Sequence, residues 1–334
     1  MLDGLPIRRK RRRWLWVLIA LGLAVAVAAP PGCEAIKKSA TWGVVCAPNH
    51  RKTILPADDP GPEALRAAGV DRQLRLEVGP PAASLLVWIL EPKAANPGHG
   101  PSAKPRGTIL LLHGIHGKKE HMLGTSRMLA DRGFRSVLVD LRGHGRSSGD
   151  WFTYGVRDSR DLSQVLDGLE ERGLLVGPVG AYGTSYGGAV ALMLAGRDPR
   201  VQAVVTIAAF STMREVVSLN IRRYLVVGPL LADAWVDDVI DRAGQLADFN
   251  PDDASPLTAV ARTKARLLIV HGTADAKVPA SQAKALHAAA RDHSRLILIE
   301  GEDHDSIMLD RPGTLGREVP AWFEMLSPES GSRP

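Results

Sequence analysis

Cysteine is almost missing from this chain of 334 residues, and the spacing of the two present, Cys33 and Cys46, matches neither a metal site nor a redox pair. Nucleotide-binding signatures are missing too. No Gly-Lys-Ser/Thr phosphate loop occurs, and Gly143-His144-Gly145 lacks the third glycine of a dinucleotide fingerprint at the required distance. His113, His116 and His121 do not have the spacing of a helix-borne zinc motif. Neither a metal nor a cofactor is therefore expected. Internal repeats are absent, and so is excess charge over most of the length: the run Arg8 to Arg13 set against Asp3 supplies +5 of the net +6. The nearly neutral remainder carries neither a nucleic-acid footprint nor a basic membrane-binding face.

What is present begins with that basic run and the sixteen residues Trp14 to Ala29, which contain no charge and no strong polar group. This is the pattern of a targeting segment. As a helix it would reach about 24 Å, short of a hydrocarbon core of roughly 30 Å, yet it exceeds a signal peptide's usual apolar stretch of about 7–15 residues. Three readings follow for residues 1–33: a signal cleaved after Ala26-Val27-Ala28, an uncleaved anchor, or a lipid anchor on Cys33. In each, the basic flank stays in the cytoplasm and the rest is exported, membrane-attached or secreted. Residues 34–71, with Pro56, Pro60, Gly61 and Pro62, read as a stalk or linker, and 327–334 as a disordered tail. In an exported protein Cys33 and Cys46 either pair or remain separate thiols.

From residue 72 the periodicity is regular. Leu74, Leu76 and Val78 alternate with polar residues and Ser84 to Leu90 follows, an antiparallel pair with Gly79-Pro80-Pro81 as its turn. Pro92 to Pro105 is a long surface loop. Apolar runs at 108–112, 136–139, 179–182, 201–207, 267–270 and 296–299 read as strands, and helical spacing fills about 119–132, 157–172, 186–196, 280–291 and 313–326. Such alternation predicts an α/β fold, a mostly parallel sheet covered by helices on both faces, over residues 72–326. The residues between 207 and 267 exceed one crossover helix. The segment of about 211–262 is expected to form a small helical cap, from Met213 to Val227 and Leu230 to Leu246 with Gly228-Pro229 between, some of whose apolar residues (Val216, Val217, Leu219, Ile221, Leu225, Val226, Leu230, Leu231) line a pocket.

The chemistry centres on Gly183-Thr184-Ser185-Tyr186-Gly187. This Gly-x-Ser-x-Gly lies between an apolar strand and an apolar helix, the context of a nucleophile elbow. Gly145-Arg146-Ser147-Ser148-Gly149 spells the same pattern, but Asp150-Trp151-Phe152-Thr153-Tyr154 after it forms no helix. Ser185 is thus the nucleophile and Ser147 a loop residue. A hydroxyl needs a base within reach, and the base needs a carboxylate to orient it. His304 follows the last strand and Asp275 the strand before it, with Asp233, Asp237 and Asp238 as alternative acids in the cap. The backbone N–H groups of Ile115, after the strand at 108–112, and of Tyr186 are candidates for an oxyanion hole.

Four loops in order, His113-Gly114-Ile115-His116-Gly117, Asp140-Leu141-Arg142-Gly143-His144-Gly145-Arg146-Ser147, the elbow, and His271-Gly272-Thr273-Ala274-Asp275-Ala276-Lys277-Val278-Pro279, resemble the α/β-hydrolase superfamily. The Ser185, Asp275, His304 order matches it as well. The resemblance is to esterase- and lipase-like serine hydrolases and also to prolyl-oligopeptidase-like catalytic domains. It implies a serine hydrolase that cleaves small carboxylic esters through an acyl-enzyme and needs no cofactor. Peptidase, thioesterase and acyltransferase chemistry would use the same groups, and a non-catalytic ligand-binding member of the fold is the remaining alternative.

Overall fold

A computed structural model of the protein describes residues 30–50, 59–92, 104–309 and 313–326. The expected targeting segment up to Ala29, most of the Pro92–Pro105 loop and the C-terminal tail lie outside the described residues.

Eight strands form one sheet: β1 (Arg72–Val78), β2 (Ala83–Leu90), β3 (Thr108–Leu112), β4 (Arg135–Val139), β5 (Val179–Thr184), β6 (Val201–Ile207), β7 (Arg266–Gly272) and β8 (Ser294–Ile299). Their order is β1-β2-β4-β3-β5-β6-β7-β8, with the β1–β2 and β2–β4 pairs antiparallel and all others parallel. Continuous apolar runs are what a strand buried on both faces requires. In β3, Leu110 and Leu112 point into one core layer while Ile109 and Leu111 point into the other. Leu123–Ala130 and Thr314–Glu324 help cover the second layer, and Val156–Glu171, Tyr186–Arg197 and Ala280–Ala289 the first.

The strand order has a functional consequence. From β3 the chain steps outward to β4, then returns across β3 to β5, so the direction of winding reverses between two neighbouring strands. At such a switch point the loops leaving the carboxyl ends diverge and leave a crevice. The loops from β3 and β5 carry His113 to Gly117 and Ser185.

The expected cap is present as α6 (Met213–Tyr224) and α7 (Asp233–Ala247), where α1 to α5 are Pro30–Val45, Pro62–Ala68, Leu123–Ala130, Val156–Glu171 and Tyr186–Arg197. The Gly228-Pro229 break coincides with a short 3-10 turn at Gly228–Leu230. Thr212 starts α6 by accepting a hydrogen bond from the Glu215 amide, which supplies an otherwise orphaned helix donor with a partner.

Residues 34–50 do not form a stalk. Pro30–Val45 is helix α1, and it packs on α7 with ion pairs from Lys37 to Asp238 and from Glu34 to Arg242. Val44, Val45 and Ala47 are buried, the Phe152 amide donates to the Val45 carbonyl, and Asn49 donates to the carbonyls of Gly145 and Ser147. Pro30 and Pro31 stand in the first turn of α1, where proline is tolerated because its missing N–H has no partner to lose. Cys46 is a free thiol; the expectation for Cys33 falls on a side chain outside the described residues.

Candidate active site

Ser185 occupies the apex between β5 and α5 at φ 51°, ψ −116°, a conformation few non-glycine residues adopt. Space, more than strain relief, explains the flanking glycines. A Cβ on Gly187 would collide with the carbonyls of Leu112 and His113, and one on Gly183 with the carbonyl of Gly187. The turn can therefore press against the end of β3 only without side chains. Ser185 is bound from below by its own amide, which donates to the Ile207 carbonyl at 2.7 Å.

Two further loops converge on the hydroxyl. His304 Nε2 lies 3.0 Å from Ser185 Oγ, and His304 Nδ1 lies 2.6 Å from Asp275 Oδ2. The carboxylate can only accept, so Nδ1 carries the proton and Nε2 presents its lone pair to the serine. Asp275 is buried. Its Oδ1 accepts from the amides of Lys277 at 2.9 Å and Val278 at 2.8 Å, while His271 Nε2 stands 3.4 Å from Oδ2. Burial alone would raise this carboxyl, but the hydrogen bonds from His271, His304 and the Val278 amide outweigh it and hold it well below the usual range. The carboxylate stays ionised at any working pH.

The acidic neighbours of His304 have their own task. Asp303 Oδ1 accepts from the amides of Asp305 and Ser306, which closes the turn carrying the imidazole, and Lys277 pairs with Asp305 at 2.7 Å across to the Asp275 loop. The two loops are further joined by the Ala274 amide donating to the Glu302 carbonyl. Two of the alternative acids are engaged elsewhere: Asp233 pairs with Arg222 and Asp238 with Lys37 and Arg242.

The loop after β3 lies directly over the serine, with the Cβ position of Gly114 only 3.7 Å from Ser185 Cβ. Ile115, from this loop, and Tyr186, the first residue of α5, line the same cavity as Ser185 and His304. His113 ties the loop down. Its Nδ1 lies 2.8 Å from the Gly114 carbonyl and its Nε2 accepts from the Leu141 amide at 3.1 Å, so only the neutral Nδ1–H tautomer satisfies both. Burial pushes His113 down to about 4 and His144, behind it, to about 3. The Asp140 loop is structural: Arg142 forms a buried bidentate pair with Asp161 at 2.7 and 2.9 Å, and Ser147 Oγ donates to the Asp140 carbonyl. The second Gly-x-Ser-x-Gly thus leaves its hydroxyl inside the fold.

Above Ser185 opens a cavity of about 560 Å³. Of the cap residues expected to line it, Val216, Val217, Ile221 and Leu225 do; Val226 and Leu230 are instead 99% and 85% exposed, because the turn between the cap helices points outward. The sequence reading missed the contribution of α1 through Ala40, Gly43 and Val44. Their signal was a helical spacing of small apolar residues, 40, 43, 44 and 47, behind the paired prolines.

Comparison with known proteins agrees with this architecture. Residues 96–220 match the family described as X-Pro dipeptidyl-peptidase (S15 family), and residues 245–324 the family described as TAP-like protein. The uncharacterized protein YqkD of Bacillus subtilis is 27% identical over 201 residues, which cover 59% of this chain and 64% of YqkD, just under two thirds of that protein. An esterase of Pyrococcus furiosus superposes with TM-score 0.60 at 17% identity, covering 82% of this chain and 98% of the esterase. The acylaminoacyl peptidase of Pyrococcus horikoshii superposes with TM-score 0.53 at 19% identity, covering 77% and 41%. At such identities the structural likeness speaks for the fold alone.

Proposed function

Because this chain belongs to the α/β-hydrolase superfamily, we propose that it is a serine hydrolase that cleaves carboxylic esters. The observation that carries this reading is the unbroken line Ser185 Oγ, His304, Asp275 at 3.0 and 2.6 Å. His304 Nε2 takes the proton as Ser185 attacks the acyl carbon, and Asp275 stabilises the imidazolium that forms. The amides of Ile115 and Tyr186 receive the oxyanion, and α5 adds the positive end of its dipole. His304 returns the proton to the departing alcohol, leaving an acyl-enzyme that water releases by the same route.

Esterases and peptidases both occur among the similar proteins. Ester chemistry is favoured by the cavity lining, which among the described residues includes neither Asp nor Glu to hold the cationic amino terminus that an aminopeptidase reads. The test compares kcat/KM on p-nitrophenyl butyrate and on Ala-Pro-p-nitroanilide, with Ser185→Ala as control. Preference for the anilide would overturn the ester reading.

The run Arg8 to Arg13 before Trp14 to Ala29 supports export of the domain, with attachment to a membrane. Among the described residues no helix is long and apolar enough to cross one. A reporter active only outside the cytoplasm, fused after Pro334, should be active; activity confined to a cytoplasmic reporter would refute export.

A further inference from the structure

Gly43 stands in the body of helix α1, where glycine is unfavourable for a helix. No neighbour requires it, since no heavy atom lies within 4 Å of where its Cβ would be. The space left open belongs to the cavity above Ser185, of which Ala40, Gly43 and Val44 form one wall and Val216, Val217 and Ile221 of α6 another. That wall is firmly held. Lys37 and Glu34 pair α1 to α7, and Tyr154 Oη donates to the Val44 carbonyl at 2.8 Å.

Several of the polar groups around the cavity are already engaged. Tyr154 is bound to Val44, Tyr186 Oη to Asp158, the Asn220 amide to the Val216 carbonyl and Lys277 to Asp305. What Ala40, Gly43 and Val44 of α1 and Val216, Val217 and Ile221 of α6 offer a ligand is hydrocarbon. A peptide lying there would leave its own amides unpaired, whereas an alkyl chain has nothing to leave unpaired. We propose that α1 completes an acyl-binding site, and that the substrate it selects is an ester of an acyl chain of medium length, held between α1 and α6. This rests on the ester-hydrolase reading above.

The test uses the full-length protein with p-nitrophenyl esters from acetate to octanoate. The wild type should rise in kcat/KM with chain length. Gly43→Trp, which fills the opening, should lower the octanoate-to-acetate ratio at least tenfold, because one excluded methylene in an apolar pocket is worth roughly tenfold or more. Gly43→Ala should move it less than threefold. Ala40→Phe is the second route to the same loss if the tryptophan variant does not fold. A flat wild-type series, or a ratio within twofold of wild type in a folded Gly43→Trp or Ala40→Phe protein, overturns the proposal. Calorimetric titration of Ser185→Ala with sodium octanoate separates this from the ester reading. Binding weakened tenfold by Gly43→Trp supports the site even if no ester turns over, and binding that Gly43→Trp leaves unchanged refutes it even if esters are cleaved.

Discussion

Acidification should loosen the fold through His113, and the amount follows from its two hydrogen bonds. The ring is buried and must be neutral, since Nε2 accepts from Leu141 and Nδ1 donates to Gly114. Its pKa falls from an ordinary 6.5 to about 4. Between those values the unfolded chain binds a proton that the native state refuses, so stability is full above pH 6.5 and declines as pH falls toward 4. At about 1.4 kcal/mol per unit, going from pH 7.5 to 4.5 costs roughly 3 kcal/mol from this group. His144, at about 3, works in the same direction. Asp158 opposes both: burial raises it to about 6, so the native state holds a proton that the unfolded chain releases, and acid favours folding between pH 6 and 3.8. The wild-type slope is therefore a sum, and a variant must isolate the term. Urea unfolding of wild type and His113→Gln at pH 7.5 and 4.5 does so. The variant should be less stable at pH 7.5 but lose about 2–3 kcal/mol less on acidification. Equal acid losses in the two proteins would refute the assignment of a neutral, load-carrying His113.

Ser185→Ala and His304→Ala should each lower kcat on p-nitrophenyl butyrate by roughly 10⁴-fold or more with little change in unfolding midpoint, and Asp275→Asn somewhat less; wild-type turnover in Ser185→Ala would remove the proposed nucleophile. Gly187→Ala should abolish fluorophosphonate labelling, because the added methyl pushes the elbow off the Leu112 and His113 carbonyls; normal labelling would mean that the contact is not needed. In the acyl-length series Leu225→Trp should shorten the preferred chain and Leu230→Trp should not, since only Leu225 lines the cavity; equal effects would place the cap differently. Arg142→Ala should destabilise by about 3–5 kcal/mol, measured in urea, by leaving Asp161 buried without its partner; a loss under about 1 kcal/mol would mean that water reaches the pair.

The sequence by itself determined the sheet and the residues that meet at its carboxyl edge. Strand runs such as Thr108–Leu112 must be buried on both faces, and glycines 183 and 187 leave Ser185 one place to turn. Such signals are local: each is complete within a dozen residues, so no knowledge of the rest of the chain is needed. The choice of Asp275 over the cap carboxylates, the removal of Ser147's hydroxyl into the fold and the outward turn of Val226 and Leu230 depended on which segments pack together. So did α1. Residues 34–50 read as part of a linker because the helix is stabilised by partners far along the chain, Asp238, Arg242 and Tyr154, more than by its own composition. A short helix gains most of its stability from tertiary contact, and only the folded chain puts Gly43 opposite the cap and turns a spacing of small residues into the wall of a cavity.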